Sequence, residues 1–88
     1  MRKEEMERSL KALANKRRLA ILRFIKKEKE ATVGSIAEEI HLSFKATSRH
    51  LGVLSSADIL EKEQRSLRGF YHIADNLPES ARRIISLL

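Results

Sequence analysis

Residues 33–54 have the sequence VGSIAEEIHLSFKATSRHLGVL, two helical patterns separated by a short polar break. In the second pattern Thr47, Leu51 and Leu54 recur on one helix face, and Ser43 stands where an N-cap hydroxyl is expected. The opposite face carries hydroxyls and cations, whereas a free surface helix more often carries the stronger helix formers Glu, Lys and Ala. Such a face is suited to the phosphates and base edges of DNA.

The two patterns meet the requirements of a helix-turn-helix, in which a supporting helix and a tight turn present the second helix to a groove of DNA. Ala37 is small where the helices approach, Leu42 is apolar inside the turn, and Leu51 fills the angle between them. His41 and Asp58 stand where the helices end, and both residue types adopt a left-handed backbone more readily than most non-Gly residues. We therefore predict a positive φ at one or both.

The second helix supplies most of the candidate DNA contacts. Lys45 and Arg49 can neutralise phosphates or donate to guanine, and the fork of Arg49 suits guanine O6 and N7 together. Hydroxyl groups can donate to phosphate oxygens or base edges. The predicted contacts on this helix are Ser43, Lys45, Ala46, Thr47, Ser48 and Arg49. We expect His50 to be packed and hydrogen-bonded beneath the helix instead of binding metal.

The flanking sequence predicts further elements. Residues 3–14 have the spacing of an amphipathic helix, and Asn15 is a good N-cap for a helix over residues 16–27. Residues 31–33 are long enough only for a sheet edge. Pro78 suits the first turn of a terminal helix.

A hairpin is predicted after the second helix of the pair, where the apolar period changes to two. Residues 59–64 and about 67–73 form its strands. Arg65 and Arg68 project near the tip, toward phosphates or the minor groove. The turn is either a two-residue turn at Arg65 and its successor or a longer loop closed by Gly69.

The resulting order α-α-β-α-α-β-β-α, mainly α with a small β-hairpin, is that of a winged helix-turn-helix. With 88 residues and 42% hydrophobic residues, the chain can build one small core, so we predict a single domain over residues 1–88. Eighteen Lys and Arg against twelve Asp and Glu favour a polyanionic partner such as nucleic acid, and with the helix-turn-helix the predicted partner is double-stranded DNA. A Lys/Glu-rich surface that serves solubility is the alternative.

Composition also excludes several classes. The chain has no Cys and three scattered His, so no metal or other cofactor is expected. No nucleophile has a base in reach and no phosphate-binding Gly loop is present, which argues against an enzyme. The longest apolar run, residues 19–22, is far below the roughly 20 residues that span a bilayer, and the charged N-terminus lacks a secretory core. We expect a cytoplasmic protein without membrane association.

Four segments together resemble the ArsR family of winged-helix repressors. They are LKALAN (10–15), RLAIL (18–22), VGSIAE (33–38) and TSRHLGVL (47–54). The resemblance covers about Leu10 to Ile73 and implies a homodimeric transcription regulator that places its second helix-turn-helix helix in the major groove of a pseudo-palindromic operator. It also implies a two-fold interface on the first and last helices, at Met6, Leu10, Leu13, Ile84, Ile85 and Leu88.

The chain departs from the family where many members bind metal. The segment before the helix-turn-helix is EATVGS (30–35), with no thiolate, and the last helix has no His or Asp. No metal is therefore expected. A function of a different class is also open, namely a winged-helix module whose basic surface docks an acidic protein partner. Only a DNA-binding protein should bind random duplex with a steep dependence on salt.

Overall fold

The computed structural model describes residues 2–88. Over this range the chain forms five helices and one antiparallel two-stranded hairpin, the predicted winged helix-turn-helix. The helices are α1 (Lys3–Leu13), α2 (Lys16–Glu28), α3 (Val33–Ile40), α4 (Phe44–Ser56) and α5 (Glu79–Ser86), and the strands are β1 (Leu60–Arg65) and β2 (Arg68–Ile73). We call α4 the recognition helix and the β1–β2 hairpin the wing.

Side-chain caps fix where three of the helices begin. Asn15 Oδ1 accepts from two amides in the first turn of α2, and Thr32 Oγ1 accepts from one in α3. Ser43 Oγ accepts from the amide of Ala46 at 3.1 Å and so starts the recognition helix. Each cap contributes about 1 kcal/mol to stability. The caps predicted at Asn15 and Ser43 are confirmed.

The two sharp reversals around the recognition helix use left-handed residues, as predicted. His41 ends α3 with φ 56° and ψ 48°, and Asp58 has φ 61°. After each of them the next amide bonds back to the helix, Leu42 to the Ala37 carbonyl at 3.0 Å and Ile59 to a carbonyl of α4 at 3.0 Å. The turn into the recognition helix is therefore short and well fixed.

The wing turn differs from both predicted alternatives. Arg65 pairs with Arg68, so the two turn residues are Ser66 and Leu67, one position later than the predicted two-residue turn. Ser66 takes the positive φ of 56° that this tight turn requires. Gly69 closes no loop, since it lies inside β2.

The predicted sheet edge at residues 31–33 is a single bridge that anchors the wing. The Ala31 amide donates to the Tyr71 carbonyl at 3.0 Å, and the Tyr71 amide donates back at 2.8 Å. This pairing joins the loop between α2 and α3 to the outer edge of β2. The lower half of the wing is therefore attached to the body of the domain through β2.

The core lies around α2 and receives apolar side chains from α3, α4 and β1. The largest fully buried aliphatic side chains are Ile21, Leu22, Ile25, Ile36, Leu51, Leu54 and Ile59. Full burial of such a side chain contributes roughly 1.5–3 kcal/mol. Because Leu51 and Leu54 hold one face of α4 in this core, its polar face points outward. No helix in residues 2–88 combines the length and apolarity needed to cross a membrane.

Candidate nucleic-acid interface

The outer face of the recognition helix presents two unpaired cations. Lys45 and Arg49 are exposed and lie four residues apart, hence on one stripe of the helix. Neither forms an ion pair within residues 2–88, although the chain pairs many of its other charges. Ser43 is exposed at the helix start, and Ala46 and Ser48 are half-buried beside the stripe. Two unpaired cations on a helix stripe are suited to phosphates and guanine.

Thr47 is not part of this surface, which contradicts its prediction as a DNA contact. Its side chain is 0% exposed, and Oγ1 has no hydrogen-bond partner. Thr47 shares the inner face of α4 with Leu51 and Leu54, so its spacing directs it into the core. The hydroxyl suggested a polar contact, but the helical period decides the position.

Replacing Thr47 by Val should therefore stabilise the fold without weakening DNA binding. Val has nearly the same shape and removes a buried hydroxyl that lacks a partner, so we expect the free energy of unfolding to rise by about 1 kcal/mol. Urea denaturation measures this change. The matched control is Thr32→Val, which removes a hydroxyl that caps α3 and should cost about 1 kcal/mol. If Thr47→Val instead bound DNA more weakly with unchanged stability, the result would show that the Thr47 hydroxyl does contact DNA.

His50 is packed and hydrogen-bonded, as predicted. Its Nδ1 lies 3.2 Å from Arg18 Nη1, and the same guanidinium donates to two carbonyls at the end of α1. Because a guanidinium only donates, Nδ1 accepts and the neutral ring carries its proton on Nε2. Burial, together with the nearby Arg18, Arg17 and Arg49 charges, lowers the pKa of His50. The neutral imidazole thus joins the recognition helix to α1 and α2.

The lowered pKa of His50 gives folding stability a defined dependence on pH. Below about pH 6.5 the unfolded chain binds a proton at His50 that the folded chain resists, so stability should fall as the pH decreases from 6.5. Above about pH 6.5 His50 is neutral in both the folded and the unfolded chain, so it causes no loss of stability there. Denaturant unfolding at intervals from pH 7.5 to 5 measures it. His50→Gln, which keeps an acceptor for Arg18, should show a smaller decrease; parallel curves for the two proteins would contradict the assignment.

The two wing arginines differ in their surroundings. Arg65 Nη2 lies 2.5 Å from Glu30 Oε2, its Nε lies 3.5 Å from Glu63, and its guanidinium stacks 3.9 Å from the Phe70 ring centroid. The hydrogen bond from Arg65 lowers the pKa of Glu30, so the carboxylate stays charged. Arg68 is exposed and has no ion pair among the described residues. Of the two wing arginines, Arg68 is therefore the one without an ion pair among residues 2–88, whereas the charge of Arg65 is offset by two carboxylates.

Removing Glu30 should consequently strengthen DNA binding. In Glu30→Gln the Arg65 guanidinium loses its nearest carboxylate, so its charge is less offset and it attracts a phosphate more strongly. Exposed ion pairs contribute about 0.2–1 kcal/mol, so we expect roughly 1.5- to 5-fold tighter binding on operator and random duplex alike. Fluorescence anisotropy at fixed salt measures both. Glu79→Gln, which removes an ion-paired carboxylate on α5, is the control and should change neither; equal gains in both variants would show a general charge effect only.

Apolar side chains on α1 and α5 form a candidate interface patch. Met6 and Leu10 are 44% and 47% exposed on α1. Ile84 is half-buried on α5, which packs against α1, whereas Leu88 follows the end of α5, is half-buried and lines a groove with Leu19 and Phe24 of α2. An exposed apolar patch of this kind indicates a partner surface.

Leu13 and Ile85 do not belong to that patch, which contradicts their prediction as interface residues. They are only 4% and 5% exposed, since both pack into the core of their own chain. On both α1 and α5 the apolar stripe is wide, and the core of the same chain covers its inner part. The inner edge of the stripe holds α1 and α5 to the domain, and only the outer edge is available to a partner.

Two exposed apolar side chains on the recognition helix and the wing are absent from the predicted contacts. Phe44 is the first residue of the recognition helix, and Leu67 occupies the tip of the wing. The sequence does contain a signal for Phe44, because it lies outside the spacing of Thr47, Leu51 and Leu54. The predicted contacts are cations, hydroxyl residues and the small Ala46, and include no large apolar side chain.

Comparison with known proteins agrees with this geometry. A family model described as a helix-turn-helix domain matches residues 13–63. The homodimeric winged helix-turn-helix DNA-binding domain of a possible ArsR-family transcriptional regulator from Mycobacterium bovis is 32% identical, over 96% of this chain and 74% of that one, with a TM-score of 0.82. This chain belongs to the ArsR family of winged helix-turn-helix transcriptional regulators. The family resemblance seen in the sequence is confirmed.

Two further solved structures are similar over nearly the whole chain. HlyU from Vibrio cholerae is 29% identical, covering 99% of this chain and 92% of that one, with a TM-score of 0.82. The transcriptional repressor PagR of Bacillus anthracis is 28% identical, covering 96% and 92%, with a TM-score of 0.81. The comparison with curated protein sequences gave no match.

Within residues 2–88 no three His, Asp or Glu side chains are grouped so that they could hold a metal ion.

Proposed function

We propose that this ArsR-family protein is a homodimeric, sequence-specific transcription repressor, a binding protein and not an enzyme, acting in the cytoplasm on a pseudo-palindromic operator. The observation that carries the proposal is the outer face of the recognition helix, where Lys45 and Arg49 stand exposed with no carboxylate partner among residues 2–88. The similar domain from Mycobacterium bovis is described as homodimeric and DNA-binding, and PagR as a transcriptional repressor.

The start of the recognition helix adds to the attraction for DNA. The free amides and the dipole of an N-terminus favour anions, and no acidic residue occupies the first turn of α4. Lys45 adds a full charge in that turn. The net charge of +6 attracts the whole domain to a polyanion over longer distances.

We assign the DNA contacts by the chemistry of each side chain. Arg49 contacts guanine, since its fork matches O6 and N7. Lys45 and the wing cations contact phosphates, which set orientation without conveying sequence. The proposed contacts are Ser43, Lys45, Ala46, Ser48, Arg49, Arg65 and Arg68.

With two-fold symmetry, a domain as small as this one can recognise two half-sites of an operator. A dimer through the exposed apolar side chains of α1 and α5 places two recognition helices in successive major grooves, about 34 Å apart. Residues 1–88 then act as one domain that contains both the DNA-binding and the dimerisation elements. Occupying a promoter in this way blocks transcription from it.

Selection of bound sequences from a random duplex library tests the proposal. We expect enrichment of two inverted half-sites whose centres lie one helical turn apart, or a multiple of it, with affinity that falls steeply as salt rises. Enrichment of a single unpaired site would contradict the dimeric arrangement. No affinity for random duplex even at low salt would exclude DNA as the partner and favour an acidic protein on the same surface.

A further inference from the structure

Phe44 lies where the fold gives it no evident role. It is the first residue of the recognition helix, and its side chain is 64% exposed. The chain contains only three Phe residues. Its neighbours on the helix are the polar Ser43, Lys45 and Ser48. A largely exposed aromatic ring thus lies beside the cation Lys45 at the start of the recognition helix.

Local structure does not explain this choice. The cap of the helix is supplied by Ser43, and Phe ranks below Ala, Lys and Glu as a helix former. A carboxylate or Pro in the first turn would suit the helix better. Phe44 also lies outside the core, whose α4 members are Thr47, Leu51 and Leu54. Its explanation must therefore lie in what the surface binds.

The major groove has one apolar group that such a ring can contact. Each thymine carries a C5 methyl there, whereas the other distinguishing groups are hydrogen-bond donors and acceptors. The N-terminal residues of a recognition helix are those that reach base edges. We propose that Phe44 contacts a thymine methyl in each half-site and makes thymine the preferred base at that position. This inference rests on the proposed function and names one determinant of its specificity.

The contact is separate from that of Arg49. Five residues of helix correspond to a rise of about 7.5 Å and a rotation of about 140°, so the two side chains leave the helix at different heights and in different directions. Phe44 and Arg49 therefore face different base pairs. The half-site should prefer thymine at the ring and guanine at the guanidinium.

Replacing thymine by deoxyuridine tests the proposal, because uracil pairs identically but lacks the methyl. Each thymine of the selected operator is replaced in turn, and the affinity of the wild-type chain is measured by anisotropy. Burial of one methyl group predicts about fourfold weaker binding when the responsible thymine is changed in one half-site. Changing both half-sites together should weaken binding about fifteenfold.

Phe44→Ala should bind the thymine and deoxyuridine operators equally. Because the ring is largely exposed, its thermal unfolding should match that of the wild type, which shows that the variant is folded. The matched control is Val53→Ala, which truncates an exposed apolar side chain near the other end of the same helix and should keep the wild-type response to the methyl.

The outcomes separate this inference from the proposed function. Sequence-selective binding with no thymine position that responds to methyl removal would overturn the role of Phe44 and leave the repressor assignment intact. A methyl response that persists unchanged in Phe44→Ala would also overturn it. Failure to bind any duplex selectively would overturn the proposed function itself.

Discussion

Arg49→Ala should weaken binding to the operator by about 1–3 kcal/mol per half-site, roughly 5- to 150-fold, and relax the preference for guanine at one position. The reason is geometric. The Arg49 side chain is exposed on the outer stripe of the recognition helix and has no carboxylate partner in residues 2–88, so its fork is free to bind two guanine acceptors. Anisotropy titrations on the operator, on operators with each guanine changed, and on random duplex measure the effect.

Random duplex provides the internal comparison for that variant. Without guanine at the right position Arg49 serves only as a cation, so the loss on random duplex should be much smaller than on the operator. Arg23→Ala, an exposed arginine on α2, is the matched control for loss of one charge. Equal losses on operator and random duplex for the Arg49 variant would show that it contacts phosphate only.

Leu10→Glu should separate the dimer and thereby weaken operator binding by about 100-fold or more. The Leu10 side chain is 47% exposed beside Met6 on α1, and two-fold symmetry would bury the new carboxylate twice without a partner. A separated chain loses the gain from two linked half-site contacts, which commonly amounts to a factor of 10² to 10⁴. Sedimentation equilibrium reports the oligomeric state, and anisotropy reports the affinity.

A single half-site is the control for this variant. The recognition helix is unchanged in this variant. At a protein concentration where the wild type is also monomeric, Leu10→Glu should therefore bind an isolated half-site with the same affinity as the wild type. Thermal unfolding of the variant shows whether the chain alone is stable. If Leu10→Glu remained dimeric, the dimer interface would have to lie on elements other than α1.

Much of this architecture could be predicted because it is local. Helix faces follow from a fixed angular spacing, and Asn15, Thr32 and Ser43 start helices through hydrogen bonds to amides three or fewer residues away. His41 and Asp58 take a left-handed backbone at positions defined by where the helices end. Each of these features depends on a few consecutive residues.

The errors concern contacts between distant residues or a balance of two local preferences. The pairing of Arg65 with Glu30 joins residues on different elements, so no spacing indicates it. Leu13 and Ile85 lie on apolar stripes that serve both the core and the surface, and only packing divides the two. At Thr47 the residue type indicated a contact while its spacing indicated burial, and burial prevails because it is set by the whole helix.

The central claim is that the outer face of the recognition helix and the wing tip lie against DNA. Amide chemical shifts of the isotope-labelled protein, followed as an operator duplex is added, test it most directly. We expect the largest changes at residues 43–49 and 66–68, with the solvent-facing side of α5 hardly changed at 82–83. Large changes confined to other elements, with residues 43–49 unaffected, would contradict it.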